Sequence, residues 1–340
     1  MHSPVTPESA AQRTRLLDLL QGYRATCIVV TAIELGVLEP LRAGPASASE
    51  LGDKLGAHLP SLQRFLRALE VVGLVEQVAN GVALTSMGRL LIDPDAGLHD
   101  RAVLTEAEYL PAWLDLRHSV MTGEPAFPAV FGMSVWEHRR ANPELGARFD
   151  RAMADLHARA RRSVLGAYDF SGSRLVVDVG GGRGALMAEI LKQYPQARGV
   201  VFDQPHVVEG ARPLLADAGV LDRCRIEGGS FLDSVPADGD VYILQYILHD
   251  WDQASCETIL RNCRAAMRAS SVLLVVENIL PEGARPADFV TMLDLHMMVM
   301  LGGRERTRSE YRSLLQAAGL GLERCVSGHT NVEVIVATPQ

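Results

Sequence analysis

Apolar positions recur at helical spacing between residues 9 and 42, where Leu16, Leu17, Leu19, Leu20, Ile28, Val29, Ile33, Leu35 and Leu38 offer more apolar surface than one helix face needs. Such excess predicts burial against another subunit. A bend rich in Ala, Ser and Gly follows at 43–49, then a short capped helix from Ser49, a second helix from Ser61 that ends at Gly73, and a hairpin of 74–78 and 81–85. Helices followed by a two-stranded wing make a winged-helix arrangement. From 102 to 167 the spacing is helical again, interrupted by Thr122-Gly-Glu-Pro-Ala-Phe-Pro128, with Trp113, Phe127, Phe131, Met133, Trp136, Phe149 and Met153 gathered there. Most of these read as packed core and a minority as the lining of an apolar pocket.

Beyond residue 168 the period changes. Short β-branched runs at 175–179, 199–202, 225–227, 241–244 and 272–277, and a closing pair at 322–326 and 332–337, alternate with helical stretches near 185–193, 206–218, 253–268 and 308–318. This predicts an α/β fold, a doubly wound and mainly parallel sheet with a terminal antiparallel hairpin, which binds ligands at the carboxyl ends of its strands. Three segments follow: a winged-helix-like domain over 1–100, a helical linker over 101–167 and the α/β domain over 168–340.

Composition narrows the partners. The net charge is −8 and no block of Lys or Arg forms a phosphate-tracking face, so nucleic acid is not an expected partner. That weighs on the winged helix, which otherwise invites a DNA-binding regulator: its second helix carries Arg64 and Arg67 but also Glu70, and nothing basic follows in the wing. A dimerisation module is the better reading. The N-terminus, Met1-His-Ser-Pro-Val-Thr-Pro-Glu, has neither a basic nor an apolar leader region, and no apolar run of membrane-spanning length stands out. A cytoplasmic protein without a membrane partner is expected. Five scattered cysteines without a C-x-x-C pair read as free thiols.

The candidate chemistry starts at Leu175-Val-Val-Asp-Val-Gly-Gly-Gly-Arg-Gly184, a strand running into a glycine cluster and a helix. Glycines let the backbone turn sharply and approach a ligand, and the N–H groups of the helix start point at it. Gly180, Gly182 and Ala185 satisfy G-x-G-x-x-A, and Asp203 stands at the offset of a ribose-binding acid. The cradle alone fits a nicotinamide dinucleotide or another adenosine-bearing cofactor. No Tyr-x-x-x-Lys follows; instead a strand ends in His249 and Asp250, one strand beyond the cradle, where bound ligands react. No His, Cys and carboxylate set has metal-ligand spacing, and no metal is expected.

These residues, with Val201-Phe-Asp-Gln-Pro-His, Gly229-Ser-Phe-Leu, Leu248-His-Asp-Trp, Glu277-Asn-Ile-Leu-Pro, Gly302-Gly-Arg-Glu-Arg-Thr and Thr122-Gly-Glu-Pro, give nearly the whole chain a resemblance to the S-adenosylmethionine-dependent small-molecule O-methyltransferases of the plant caffeate and bacterial natural-product type. The resemblance implies a homodimer made through the N-terminal module and a Rossmann-like catalytic domain. It places the backbone of Gly180, Gly181 and Gly182 at the amino-acid end of S-adenosylmethionine, Asp203 at its ribose, Ser230 and Phe231 by adenine, Gln245 near the methionine part, and Met153 approaching from the linker. His249 is implied as general base, oriented by Glu277 and Glu305; Asp250 is either catalytic or the cap of the helix after Trp251. An aromatic or polyketide-type acceptor is expected among Trp113, Phe127, Met292, His296, Met297 and Met300. Ser230 and Gln245 depart from the plant pattern, which has an acid and a lysine there. Some relatives keep the cofactor but catalyse hydroxylation, decarboxylation or cyclisation, and the retention of His249 with Glu305 favours O-methylation over these.

Overall fold

Alternating strands and helices in the second half build the sheet that carries the site. The computed structural model describes residues 7–94, 96–283, 289–328 and 332–340. The chain divides into two units, one running to Pro111 and taking in Arg139–Asp155, the other made of Ala112–His138 and Leu156–Gln340.

In the first unit, the predicted helix over 9–42 is two helices, Pro7–Gln21 and Tyr23–Glu34, followed by a 3-10 turn at Glu39–Ala43. The next helix, Ala48–Leu55, starts one residue earlier than Ser49 because Ser47 caps it in a reciprocal box with Glu50. Leu62, Leu66 and Leu69 share one face of helix Leu59–Val71 and are buried with Leu38, Leu41 and Leu51 under the hairpin of β1 (Val75–Val78) and β2 (Gly81–Leu84). The first helix is left uncovered: Leu19 is 71% and Leu20 64% exposed. Contrary to the expectation that no run is long enough to cross a membrane, the 25 residues of Ala10–Glu34 contain an 18-residue window with a mean hydropathy of 1.3, 11% of which is buried. Length and composition alone pass that test, and an apolar strip meant for another protein surface passes it equally.

In the second unit, seven strands follow the order β5-β4-β3-β6-β7-β9-β8, in which β3 (Leu175–Val179), β4 (Arg198–Asp203), β5 (Cys224–Gly228), β6 (Val241–Gln245) and β7 (Val272–Asn278) run parallel. β9 (Val332–Pro339) pairs antiparallel with β7 and with β8 (Leu320–Ser327). The central strands are near-continuous apolar runs because helices cover both faces. The stretch predicted as one helix over 206–218 is two, Pro205–Val208 and Ala211–Asp217. Strand order reverses between β3 and β6, so the glycine turn after β3 and the histidine turn after β6 open side by side at the carboxyl edge.

Candidate active site

Tyr246, the first residue after β6, has a left-handed backbone with φ of +53°. The turn that follows aims three successive N–H groups at one oxygen: Glu277 Oε1 accepts from Ile247, Leu248 and His249 at 3.2, 2.9 and 3.4 Å. Glu277 is there because β7 pairs in parallel with β6, which puts its end beside the turn. Its other oxygen, Oε2, is buried without a hydrogen-bond partner and lies 3.7 Å from His249 Nδ1.

A second segment grips the same turn from the other side. Glu305 Oε1 accepts from His249 Nδ1 at 2.9 Å, and the Arg304 N–H donates to the His249 carbonyl at 2.9 Å. The Arg306 guanidinium, 1% exposed, donates to the carbonyls of Leu248 and Trp251 at 2.9 and 3.3 Å. Glu305 is itself fixed through its N–H, which donates to Asp294 Oδ1 at 2.9 Å on helix Phe289–Met300. Gly303 packs so closely that a Cβ there would lie 2.0 Å from the His249 carbonyl oxygen.

A carboxylate only accepts, so the bond to Glu305 places a proton on Nδ1 and leaves Nε2 as the titrating nitrogen. Asp250 Oδ1 stands 3.3 Å from Nε2. Its alternative role as a helix cap is corrected: Asp252 caps helix Gln253–Ala266, its Oδ1 accepting from the Ser255 N–H at 2.7 Å. Burial pulls the His249 pKa down, but the carboxylates of Glu277, Asp250 and Glu305 outweigh it and push it up to about 10. Burial raises Glu277 to about 7 against the pull of the neighbouring imidazolium. The ring of His249 therefore holds two protons at neutral pH in the free site, unlike the ordinary histidine near 6.5 that the sequence suggests.

The fold also gathers ligand-type atoms of His249, Glu277 and Glu305 within 4.8 Å of one another, which linear spacing does not show. Glu277 Oε1 and Glu305 Oε1 accept from the turn's backbone and from His249, whereas Glu277 Oε2 and Glu305 Oε2 are buried without a hydrogen-bond partner among the described residues.

The cradle after β3 is shaped by contacts that leave no room for side chains. A Cβ on Gly180, where φ is +74°, would lie 2.3 Å from Ile247 Cδ1, whereas Gly182, at φ +55°, faces open space. Asp203 Oδ2 accepts from the Gly182 N–H at 2.9 Å and Oδ1 from the Gln204 N–H at 2.6 Å. A Cβ on Gly181 would press on the Asp178 carboxylate at 2.8 Å. Asp178 is raised to about 7 by burial and by the charge of Asp203. Gln245 Oε1, at the end of β6, is buried without a partner. An open glycine turn, two acids and an orphaned amide oxygen fit an adenosine-bearing ligand that carries positive charge, as S-adenosylmethionine does. Phe231 meets Trp251 edge-on at 5.6 Å, and Ser230 Oγ accepts from the Leu232 N–H at 3.2 Å. Met153 lies half-buried on helix Pro143–Ala167, in the part that belongs to the first unit.

Among the expected acceptor residues, Trp113 Nε1–H donates to His296 Nδ1 at 3.0 Å. Because indole only donates, His296 is unprotonated at Nδ1. Met297 and Met300 on the same helix are buried, while Met292 is 54% exposed. Phe127 is wholly enclosed, with Phe131 stacked at 4.3 Å and His138 edge-on at 5.5 Å. Tyr246, Gly303, Asp294 and Arg306 were not singled out by sequence reasoning. The Gly302-Gly-Arg-Glu-Arg-Thr run pointed to the segment, but the partners of Arg306 are carbonyl groups and leave no trace in side-chain spacing.

The chain matches the family model of the O-methyltransferase domain over residues 113–321 and that of the O-methyltransferase dimerisation domain over 17–94. It is similar to a phenazine O-methyltransferase of Lysobacter antibioticus, 42% identical over 95% of each chain. Among solved structures it is similar to a mitomycin 7-O-methyltransferase, with a TM-score of 0.91 and 37% identity over 97% of this chain and 98% of that one. It is also similar to an O-methyltransferase from neocarzinostatin biosynthesis solved with S-adenosylmethionine and 2-hydroxy-5-methyl naphthoic acid, with a TM-score of 0.80 and 32% identity over 93% and 96%.

Proposed function

Since the chain belongs to the S-adenosylmethionine-dependent O-methyltransferase family, we propose that it methylates a hydroxyl of an aromatic or polyketide-type natural product, with His249 as general base. The observation that carries this reading is the 2.9 Å bond from His249 Nδ1 to the buried Glu305, which leaves Nε2, 3.3 Å from Asp250 Oδ1, as the titrating nitrogen. S-adenosylmethionine supplies an electrophilic methyl group on a positively charged sulfur. Gly180, Gly181 and Gly182, with Asp203, Ser230, Phe231 and Gln245, would hold it. Once its ring has given up the Nε2 proton, as it does with rising pH, His249 takes the hydroxyl proton on Nε2 as the acceptor oxygen becomes nucleophilic; Glu305 keeps Nδ1–H in place, and Glu277 holds the turn through its three backbone bonds. A positioned base contributes about 10²–10⁴-fold, and alignment supplies much of the rest. Trp113, His296, Met297 and Met300 are the side chains we assign to the acceptor.

Incubation with methyl-labelled S-adenosylmethionine and a panel of phenolic polyketides, phenazines and hydroxybenzoates, with mass detection, tests the reading. A methyl gain on a panel phenol is expected. A protein that binds the cofactor, gains no methyl product and converts an acceptor by loss of carbon dioxide or gain of oxygen would be a repurposed member instead.

Two further results are expected. The affinity for S-adenosylmethionine falls as pH drops from 8 to 6, because protonation of Asp178, whose pKa is raised to about 7, removes a negative charge from a site that takes a cation. Calorimetric titration across that range checks it, and Asp178→Asn should flatten the dependence. In addition, we assign the exposed Leu16, Leu17, Leu19 and Leu20 strip to a homodimer contact, in keeping with the dimerisation-domain match. The Leu19→Asp, Leu20→Asp double variant should sediment as a monomer, and an unchanged dimer would place the interface elsewhere.

A further inference from the structure

We propose that Tyr246 is a positioning residue for His249, its ring stacked with the His249 imidazole so that it fixes the plane in which Nε2 meets the acceptor. The inference rests on His249 being the base. The bond to Glu305 anchors one atom of the imidazole, and a ring held at one atom can still swing about that bond. A flat neighbour removes that freedom. Tyr246 lies 5.6 Å from His249 between ring centroids at an interplanar angle of 25°, and His157, on helix Pro143–Ala167, lies 5.8 Å from the same Tyr246 ring at 30°. Together these two ring contacts are termed the column.

Two features show that Tyr246 is held where it is for its ring. Its backbone is left-handed at φ +53°, a region that bulky side chains rarely occupy and that gathers at functional sites. Its hydroxyl is buried without a hydrogen-bond partner among the described residues, and the residue is 7% exposed. Within the described chain it is the ring, not the hydroxyl, that makes the contacts. The charges suit the column. Glu277, Glu305 and Asp250 surround the His249 ring and favour its cation, which then lies over the electron-rich Tyr246 face. His157, beside Arg161 on its own helix, is kept neutral by burial and by those two cations, its pKa lowered to about 4. It backs the tyrosine without repelling the far imidazolium.

The test compares Tyr246→Leu, Tyr246→Phe and His157→Leu in the full-length protein, with a methyl-accepting phenol from the panel. Loss of the ring in Tyr246→Leu should lower kcat about 10- to 100-fold while the Kd for S-adenosylmethionine stays within about threefold. Tyr246→Phe, which keeps the ring, should recover most of that loss. The rise of kcat/KM with pH should move to lower pH in Tyr246→Leu and stay in place in Tyr246→Phe, because only the former removes the face that favours the imidazolium. His157→Leu should lower kcat about 3- to 10-fold through a loosened Tyr246, and it decides the matter if Tyr246→Leu does not fold. The proposal is overturned if Tyr246→Leu keeps wild-type kcat and pH profile, if Tyr246→Phe falls as far as Tyr246→Leu, if cofactor affinity falls in step with kcat, or if His157→Leu is unaffected. His249→Ala run in parallel separates the two readings. Full activity in that variant sinks the base itself, whereas an inactive His249→Ala beside a fully active Tyr246→Leu sinks the column alone.

Discussion

His249→Ala is expected to lower kcat by about 10²–10⁴-fold with the natural acceptor while S-adenosylmethionine binding is nearly unchanged. In the proposed reading the imidazole receives the hydroxyl proton, and the bonds that hold its turn belong to the backbone: the three N–H groups on Glu277 and the carbonyls on Arg306 survive removal of the ring. The turn and the cradle beside it should therefore persist. A pH signature accompanies the loss. With the histidine raised to about 10, its base form in the free enzyme grows as pH increases, so wild-type kcat/KM should climb from pH 7 toward pH 9–10, and the alanine variant should lose the part of that rise due to Nε2. Stopped assays across this range with a phenol that is already ionised, or one that never is, separate the enzyme's titration from the substrate's. An alanine variant with full turnover and the same profile would falsify proton transfer to His249.

Gly303→Ala should be nearly as damaging, although the residue touches no substrate. Its Cβ would lie 2.0 Å from the His249 carbonyl oxygen and within 2.9 Å of two Asp250 backbone atoms. Backbone cannot rotate out of the way, so either the turn or the Gly302–Thr307 segment must move. That segment carries Glu305 and Arg306, and a displacement of about 1 Å parts His249 from its orienting carboxylate, which costs roughly 10²-fold in kcat. Overpacking of this kind also lowers stability by about 1–3 kcal/mol. Gly172→Ala is the control, since a Cβ there meets nothing within 4 Å. Thermal unfolding and steady-state kinetics of the pair read both effects, and a Gly303→Ala protein with wild-type Tm and kcat would show that the close packing has no bearing on the base.

Much of the architecture was legible before any coordinates. The β-branched runs located all seven strands of the sheet, because strands covered on both faces must be apolar throughout. The glycine cluster and the strand-end position of His249 marked the two turns that the sheet sets side by side at its carboxyl edge. Errors fell where local spacing is weakest. The long N-terminal apolar stretch breaks into two helices at Gly22, and Asp250 was offered as a cap while Asp252 does the capping. Met297 and Met300 share a helix with Met292 but not its exposure, since the period of a helix says which residues share a face and not what the face meets.

By itself, then, the sequence determined the elements, their order and the residue types available for catalysis, because apolar periodicity, caps and glycines act within a few residues of where they stand. Only the tertiary structure decided what those residues do to one another. Glu305 lies 56 residues from His249 and Glu277 lies 28 away, and each reaches it through the register of β6 with β7 or the return of a distant segment. Proton affinity depends on distances of a few ångströms and on the exclusion of water, and neither is written in linear spacing. The histidine that a sequence reader would titrate near 6.5 is, in its buried ring of acids, a site that holds its proton to about 10.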